Sequence, residues 1–138
     1  MTVFTEAELA YLRSERLLGR LATLGPDGTP HVTPVGWSLG PDGDTVEVTG
    51  REFAATKKFR DVARHPRAAI VIDDVQPPWR PRGIEIRGWA EAVERPRPMI
   101  RIRPTRIVSW GLGAGRSART IAGPAPPGTP GQQPDPRR

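Results

Sequence analysis

Apolar residues recur along this chain in two periods. Most lie in short runs or strict alternations between Leu17 and Trp110, the spacing of strands. Two stretches instead repeat at helical spacing. The first opens with Thr5-Glu6-Ala7-Glu8, a capping box in which Thr5 caps and Glu8 reaches back. Phe4 precedes it as a staple, and the helix is expected to run to Glu15 with Leu9 and Leu12 inward. Leu17–Leu24 then reads as a strand, Gly25-Pro26-Asp27-Gly28 as a tight turn and Pro30–Ser38 as a second strand. Pro41-Asp42-Gly43 repeats the turn chemistry, and Thr45–Thr49 alternates as a half-buried strand.

The second helical stretch starts at Thr56 and carries Phe59, Val62 and Ala63 as its apolar stripe, with His65-Pro66 as the stop. Ala68–Asp73 reads as a buried strand, and Gln76–Pro81 as a proline-rich loop carrying Trp79. In the long strand Gly83–Val93, Ile84, Ile86, Gly88 and Ala90 face one way, and Glu85, Arg87, Trp89 and Glu91 the other. A last strand runs from Met99 past Pro104 to Trp110. Some six antiparallel strands joined by tight turns, with two or three short helices, predict a mostly β fold, a small barrel rather than a doubly wound sheet.

Composition changes that picture at the C-terminus. Residues 113–138 hold six prolines and five glycines with almost nothing apolar, so a disordered Pro/Gly/Arg tail is expected to follow a folded domain of residues 1–112. The tail's four arginines against Asp135 supply half of the net charge of +6. The folded part is only mildly basic, which argues against a nucleic-acid partner. The bias to arginine, proline, glycine and alanine fits a GC-rich genome. There is no cysteine, so no disulfide or thiolate chemistry, and no apolar run approaches the ~20 residues of a membrane span. A cytoplasmic protein with no membrane partner is expected. No paired carboxylates, Ser/His/Asp set or metal-ligand cluster stands out, so no catalytic residue and no metal is assigned. A protein that takes its chemistry from a bound cofactor would show no such set.

The basic helix is the strongest chemical signal. Thr56, Lys57 and Lys58 open it, placing two ammonium groups where free N–H groups and the positive end of the helix dipole already favour an anion. Arg60 lies one turn on, and Arg51 just beyond the preceding strand. A solvated basic face is the plainer alternative.

Three segments carry a family resemblance. They are Gly19-Arg20-Leu21-Ala22-Thr23 through Pro30-His31-Val32-Thr33-Pro34-Val35-Gly36-Trp37; Thr56–Arg60 through His65-Pro66-Arg67 to Asp73; and Gly83–Ala90, closing with Ile107–Leu112. In order and spacing they resemble the FMN-binding split β-barrel superfamily, whose founding member is pyridoxamine 5′-phosphate oxidase, and within it the actinobacterial branch of coenzyme F420-dependent enzymes. The longer aromatic C-terminal extension of the oxidases is missing, which argues against pyridoxamine 5′-phosphate itself as substrate. The resemblance implies a six-stranded antiparallel split β-barrel that forms a homodimer and binds coenzyme F420, or alternatively FMN. It implies hydride transfer from reduced deazaflavin to a small conjugated acceptor. A non-catalytic carrier of flavin, deazaflavin or haem is the other alternative.

Carried over residue by residue, Lys58 matches the phosphate-binding lysine, with Lys57, Thr56, Arg60 and Arg51 beside it. His31, Thr33, Val35 and Trp37 share one strand face, with Pro34 between them, on the strand that lines the ring in the family. Thr49 and Gly50 end the next strand beside the expected pocket, and Trp79 lies in the loop that reaches the other subunit's pocket. Core, seam or solvent positions are the plainer alternatives for these residues.

Overall fold

Alternating apolar strands with one polar face can bury that apolar face by closing on themselves, and this chain does so. The computed structural model describes residues 2–14, 16–113 and 115–128. Along it run α1 (Glu6–Ser14), β1 (Gly19–Leu24), β2 (Pro30–Leu39), β3 (Val46–Thr49), α2 (Lys57–Arg64), β4 (Arg67–Gln76), β5 (Arg80–Val93), β6 (Met99–Trp110) and β7 (Ser117–Thr120). One 3₁₀ turn, Phe53–Ala55, precedes α2. The sheet order is β3-β2-β1-β4-β5-β6-β7, and β3 also pairs with β6. That pairing closes six antiparallel strands into the expected barrel.

The interior is aliphatic. Leu21, Val46, Val48, Ile70, Ile72, Ile84, Ile86, Ile100, Ile102 and Ile107 are all essentially inaccessible. Each such side chain contributes about 1.5–3 kcal/mol on burial. Ile84, Ile86, Gly88 and Ala90 point inward on β5, as the alternation predicts. A bulge bends β5 against β6: Arg87 pairs with Arg106 but Gly88 with Pro104, leaving Thr105 as the extra residue. Pro104 has no N–H to offer the ladder, and a Cβ on Gly88 would collide with the Arg103 carbonyl.

The capping box of α1 forms. Thr5 N–H donates to Glu8 Oε1 at 2.9 Å, and Glu8 N–H to Thr5 Oγ1 at 3.1 Å. The inward face holds Glu8, Tyr11 and Leu12, with Leu9 only partly covered. Glu15 lies outside the described residues.

The C-terminal expectation needs correction. The sequence reading begins the tail at Gly113, yet Ser117–Thr120 pair antiparallel with Arg106–Ser109 of β6. Ile121 packs against the core. Two unmet demands recruit this segment: the free edge of β6 and a buried charge. Glu8 is fully buried, and Arg119 donates to both of its carboxylate oxygens, at 2.6 and 3.0 Å. Ser109 adds a hydrogen bond at 2.7 Å, and Arg119 also donates to the Val3 carbonyl. The folded part thus continues past residue 112. The last stretch of the expected tail, 129–138, lies outside the described residues.

Burial pushes the Glu8 carboxyl up, but the hydrogen bonds from Arg119, Thr5 and Ser109 and the guanidinium charge outweigh it and hold it below its ordinary value. Removing one partner of such a pair strands the other in an apolar site. Arg119→Met is therefore expected to destabilise the fold by about 3–5 kcal/mol in urea denaturation. The double variant Glu8→Gln/Arg119→Met should recover a substantial part of that loss; no recovery would show that the two groups do not act as a pair.

Candidate functional site

The predicted site residues fall into three neighbourhoods. The first is the start of α2. Thr56 caps it as expected: its hydroxyl accepts the Phe59 N–H at 3.4 Å and donates to the Phe53 carbonyl at 2.6 Å. The Arg60 N–H donates to the Thr56 carbonyl. That leaves the Lys57 and Lys58 N–H groups as open donors of the first turn. The Lys58 ammonium lies 5.5 Å from the Phe53 ring centroid, and Phe53 meets Phe59 edge-on. No carboxylate pairs with Lys58, Arg60 or Arg51 among the described residues; Arg60 donates to the Ala55 carbonyl and Arg51 is exposed.

The second neighbourhood is a buried polar cluster that the sequence reading missed. Phe59 and Val62 of α2 are buried as expected, but Ala63 is exposed and Asp61 is buried in its place. Asp61 accepts from Thr23 Oγ1 at 3.0 Å and from His31 Nδ1 at 3.0 Å, and Lys57 Nζ lies 3.6 Å away. An ionised carboxylate offers no proton, so Nδ1 must carry the hydrogen. The available signal was the i, i+4 spacing of Lys57 and Asp61. Lys57 and His31 are thereby engaged within the chain. Burial pushes Asp61 up, but its bonds to His31 and Thr23 and the Lys57 charge hold it below its ordinary value.

The third neighbourhood lies at the other end of β2, about 20 Å from His31 at ~3.3 Å per residue. It is a cleft of about 750 Å³ between the end of α1, residues 16–18, the second half of β2 and Thr49. Trp37 forms one wall, its indole N–H donating to the Leu17 carbonyl at 2.8 Å. Arg13 and Arg16 also line it; the sequence reading treated neither as a site residue. Thr49 pairs with Gly36 and leads through Gly50 toward α2, so the cleft and the α2 start flank one short connection.

The remaining positions stand apart. Thr33 is half-buried between the two ends of β2, Val35 belongs to the core, and Pro34 projects to the opposite, exposed face. Gly50 sits over the Phe53 ring. Trp79 is 74% exposed at the tip of the β4–β5 hairpin, outside both the cleft and the cluster. A second groove of about 600 Å³ opens at the bulge, where Arg67 lies 4.7 Å over the Trp89 ring; it contains none of the predicted site residues. Among the described residues no group of acids and histidines could hold a metal ion, and no helix is long and apolar enough to cross a membrane.

The sequence profile of the pyridoxamine 5′-phosphate oxidase family matches residues 5–125, from the α1 cap to beyond β7. The chain belongs to this family. A 5a,11a-dehydrotetracycline/5a,11a-dehydrooxytetracycline reductase of Streptomyces rimosus is 42% identical over 120 residues, covering 79% of this chain and 84% of the relative. A conserved hypothetical protein of Mycobacterium tuberculosis, 26% identical, superposes with a TM-score of 0.67 over 80% of this chain and 87% of its own. A structure described as an F420 reductase shares the family's fold at 23% identity and a TM-score of 0.55, covering 71% and 94%.

The Asp61 cluster gives a pH prediction. A carboxyl held below its ordinary value contributes stability that is complete above the unfolded-state value of about 3.9 and is lost as pH falls through the folded one. Asp61→Asn is expected to lower the urea midpoint at pH 7, by about 1–3 kcal/mol of stability. The gap to wild type should narrow below about pH 4. A gap that stays constant with pH would show that the Asp61 charge does not matter to the fold.

Proposed function

We propose that this chain is an oxidoreductase that binds coenzyme F420 and passes a hydride to a small conjugated acceptor, with FMN as the alternative coenzyme. The observation that carries the proposal is the start of α2. Two open N–H donors meet there with the Lys58 ammonium, which no carboxylate pairs among the described residues, and residues 50–56 join this helix start to the strand end at Thr49 that lines the Trp37 cleft. This arrangement fits the phosphate of a coenzyme. Lys58 is the first candidate to hold it, with Arg60 and Arg51 within the same surface; Lys57 is secondary, because Asp61 already engages it. When bound, the coenzyme would supply the hydride. The chain's part is to hold the phosphate end, exclude water over the ring and orient the acceptor. Family membership and the 42% identity to a named reductase support redox chemistry. The choice of F420 over FMN rests on the half-buried Lys58 and the exposed Arg51, Arg60 and Arg64, which suit a polyanionic coenzyme better than a single phosphate.

Calorimetric titration with coenzyme F420 and FMN side by side tests the reading. One coenzyme should bind, and Lys58→Ala should weaken it by about 1–3 kcal/mol, the scale of a charge-assisted hydrogen bond. Unchanged binding in that variant would place the phosphate elsewhere.

We further propose a homodimer, formed through the outer face of β2, β1 and β4. Val32, 68% exposed, pairs there with Ala22, and Ala22 with Ala69, in one apolar row. Light scattering should report two copies for the wild type and a single copy for Val32→Asp/Ala69→Asp; a dimer that persists would place the interface elsewhere.

A further inference from the structure

We propose that the cleft between α1 and the β2–β3 hairpin is an acceptor site selective for planar, fused-ring anions, with Arg13 and Arg16 meeting the negative charge. This rests on the oxidoreductase reading above and adds a substrate class to it. The cleft's volume of about 750 Å³ lies within the ~300–1,000 Å³ range of small-molecule sites. It has room for several fused rings. Leu12, Leu17, Trp37 and Leu39 supply its apolar surface. The hydrogen bond from the Trp37 indole to the Leu17 carbonyl fixes that ring in place, so a flat face is presented at little cost in side-chain freedom.

Charge narrows the class. The described lining includes two arginines and no aspartate or glutamate. Four other arginines are held in ion pairs: Arg20 with Asp73, Arg82 with Asp74, Arg87 with Glu85 and Arg119 with Glu8. Arg13 and Arg16 have no ion pair or hydrogen bond among the described residues, and both are exposed at the cleft. A guanidinium is always charged, and its planar fork matches a carboxylate or a delocalised enolate. Low-dielectric walls beside it strengthen the field felt by a ligand in the cleft. The groove at the bulge offers a contrast. There Arg67 is stacked on Trp89, Arg87 is bonded to Glu85, and Arg106 donates to Thr120. Its arginines are already engaged, so it is the weaker anion site.

The test is binding of anthracene-2-carboxylate and its uncharged amide to the full chain, followed by tryptophan fluorescence and calorimetry. Wild type should prefer the carboxylate by roughly ten-fold or more. Arg13→Gln/Arg16→Gln should bring the two probes to parity with affinity for the coenzyme unchanged, whereas Arg106→Gln should keep the preference. Circular dichroism checks that each variant is folded. Equal binding of the two probes to wild type would overturn the proposal. So would a preference that survives the double variant or disappears in Arg106→Gln. An acidic coenzyme tail is the other anion that could sit here. If the double variant loses coenzyme F420 affinity while both probes bind as before, the cleft holds that tail and the acceptor assignment is wrong. A chain that binds neither coenzyme yet shows the full probe pattern would end the coenzyme reading and leave the anion-selective cleft supported.

Discussion

The four residues of β3 pair with Gly36–Leu39 of β2 on one side, and Val46–Val48 among them pair with Ile100–Ile102 of β6 on the other. The rest of the architecture follows from that short strand. Without it the sheet would be an open ribbon with β2 and β6 as exposed edges, and the isoleucines of β4, β5 and β6 would face water. Its length matters as much as its position. Because β3 stops at Thr49, the chain turns out of the barrel there and at once enters the 3₁₀ turn and α2. The basic helix therefore follows the cleft-lining Thr49 by only a few residues of chain.

Helix placement depends on buried charge as well as on apolar burial. Each helix puts one carboxylate into the protein and satisfies it with partners from distant strands: Glu8 with Ser109 and Arg119, Asp61 with Thr23 and His31. Apolar contact alone tolerates small rotations of a helix over a barrel, whereas a buried carboxylate with named donors does not. A comparable contact fixes α1 against the long hairpin, where the Tyr11 hydroxyl donates to Asp74 and Arg82 grips the same carboxylate with two bonds. The wall that α1 contributes to the cleft is therefore held by polar contacts along its length.

The strands, turns and barrel were legible in the sequence because each is a local pattern: alternation, Pro-Asp-Gly turns, a capping box. Lys58 and the Thr56 cap were legible for the same reason. What was hidden depends on long-range pairing. Asp61 looks like one more surface charge on a helix that is basic overall, and only the position of Thr23 and His31 across the barrel end makes it a buried acceptor. Ala63 took its place in the expected stripe because apolarity was the only cue. Arg13 and Arg16 look like ordinary helix-end arginines until β2 is folded beside them. β7 was hidden behind the glycines and prolines around it; four residues carry little periodicity, and the need they meet lies in β6 and α1.

The contact between Glu8 and Arg119 spans 111 residues of sequence. A ribosome makes the acid first and the base much later. At ~5–20 residues per second, on the order of ten seconds separates the two syntheses. During that interval the Glu8 carboxylate has no guanidinium to meet it and is better left in water than in the barrel. The burial of Glu8 thus favours docking of the first helix only after almost all of the described chain has been made.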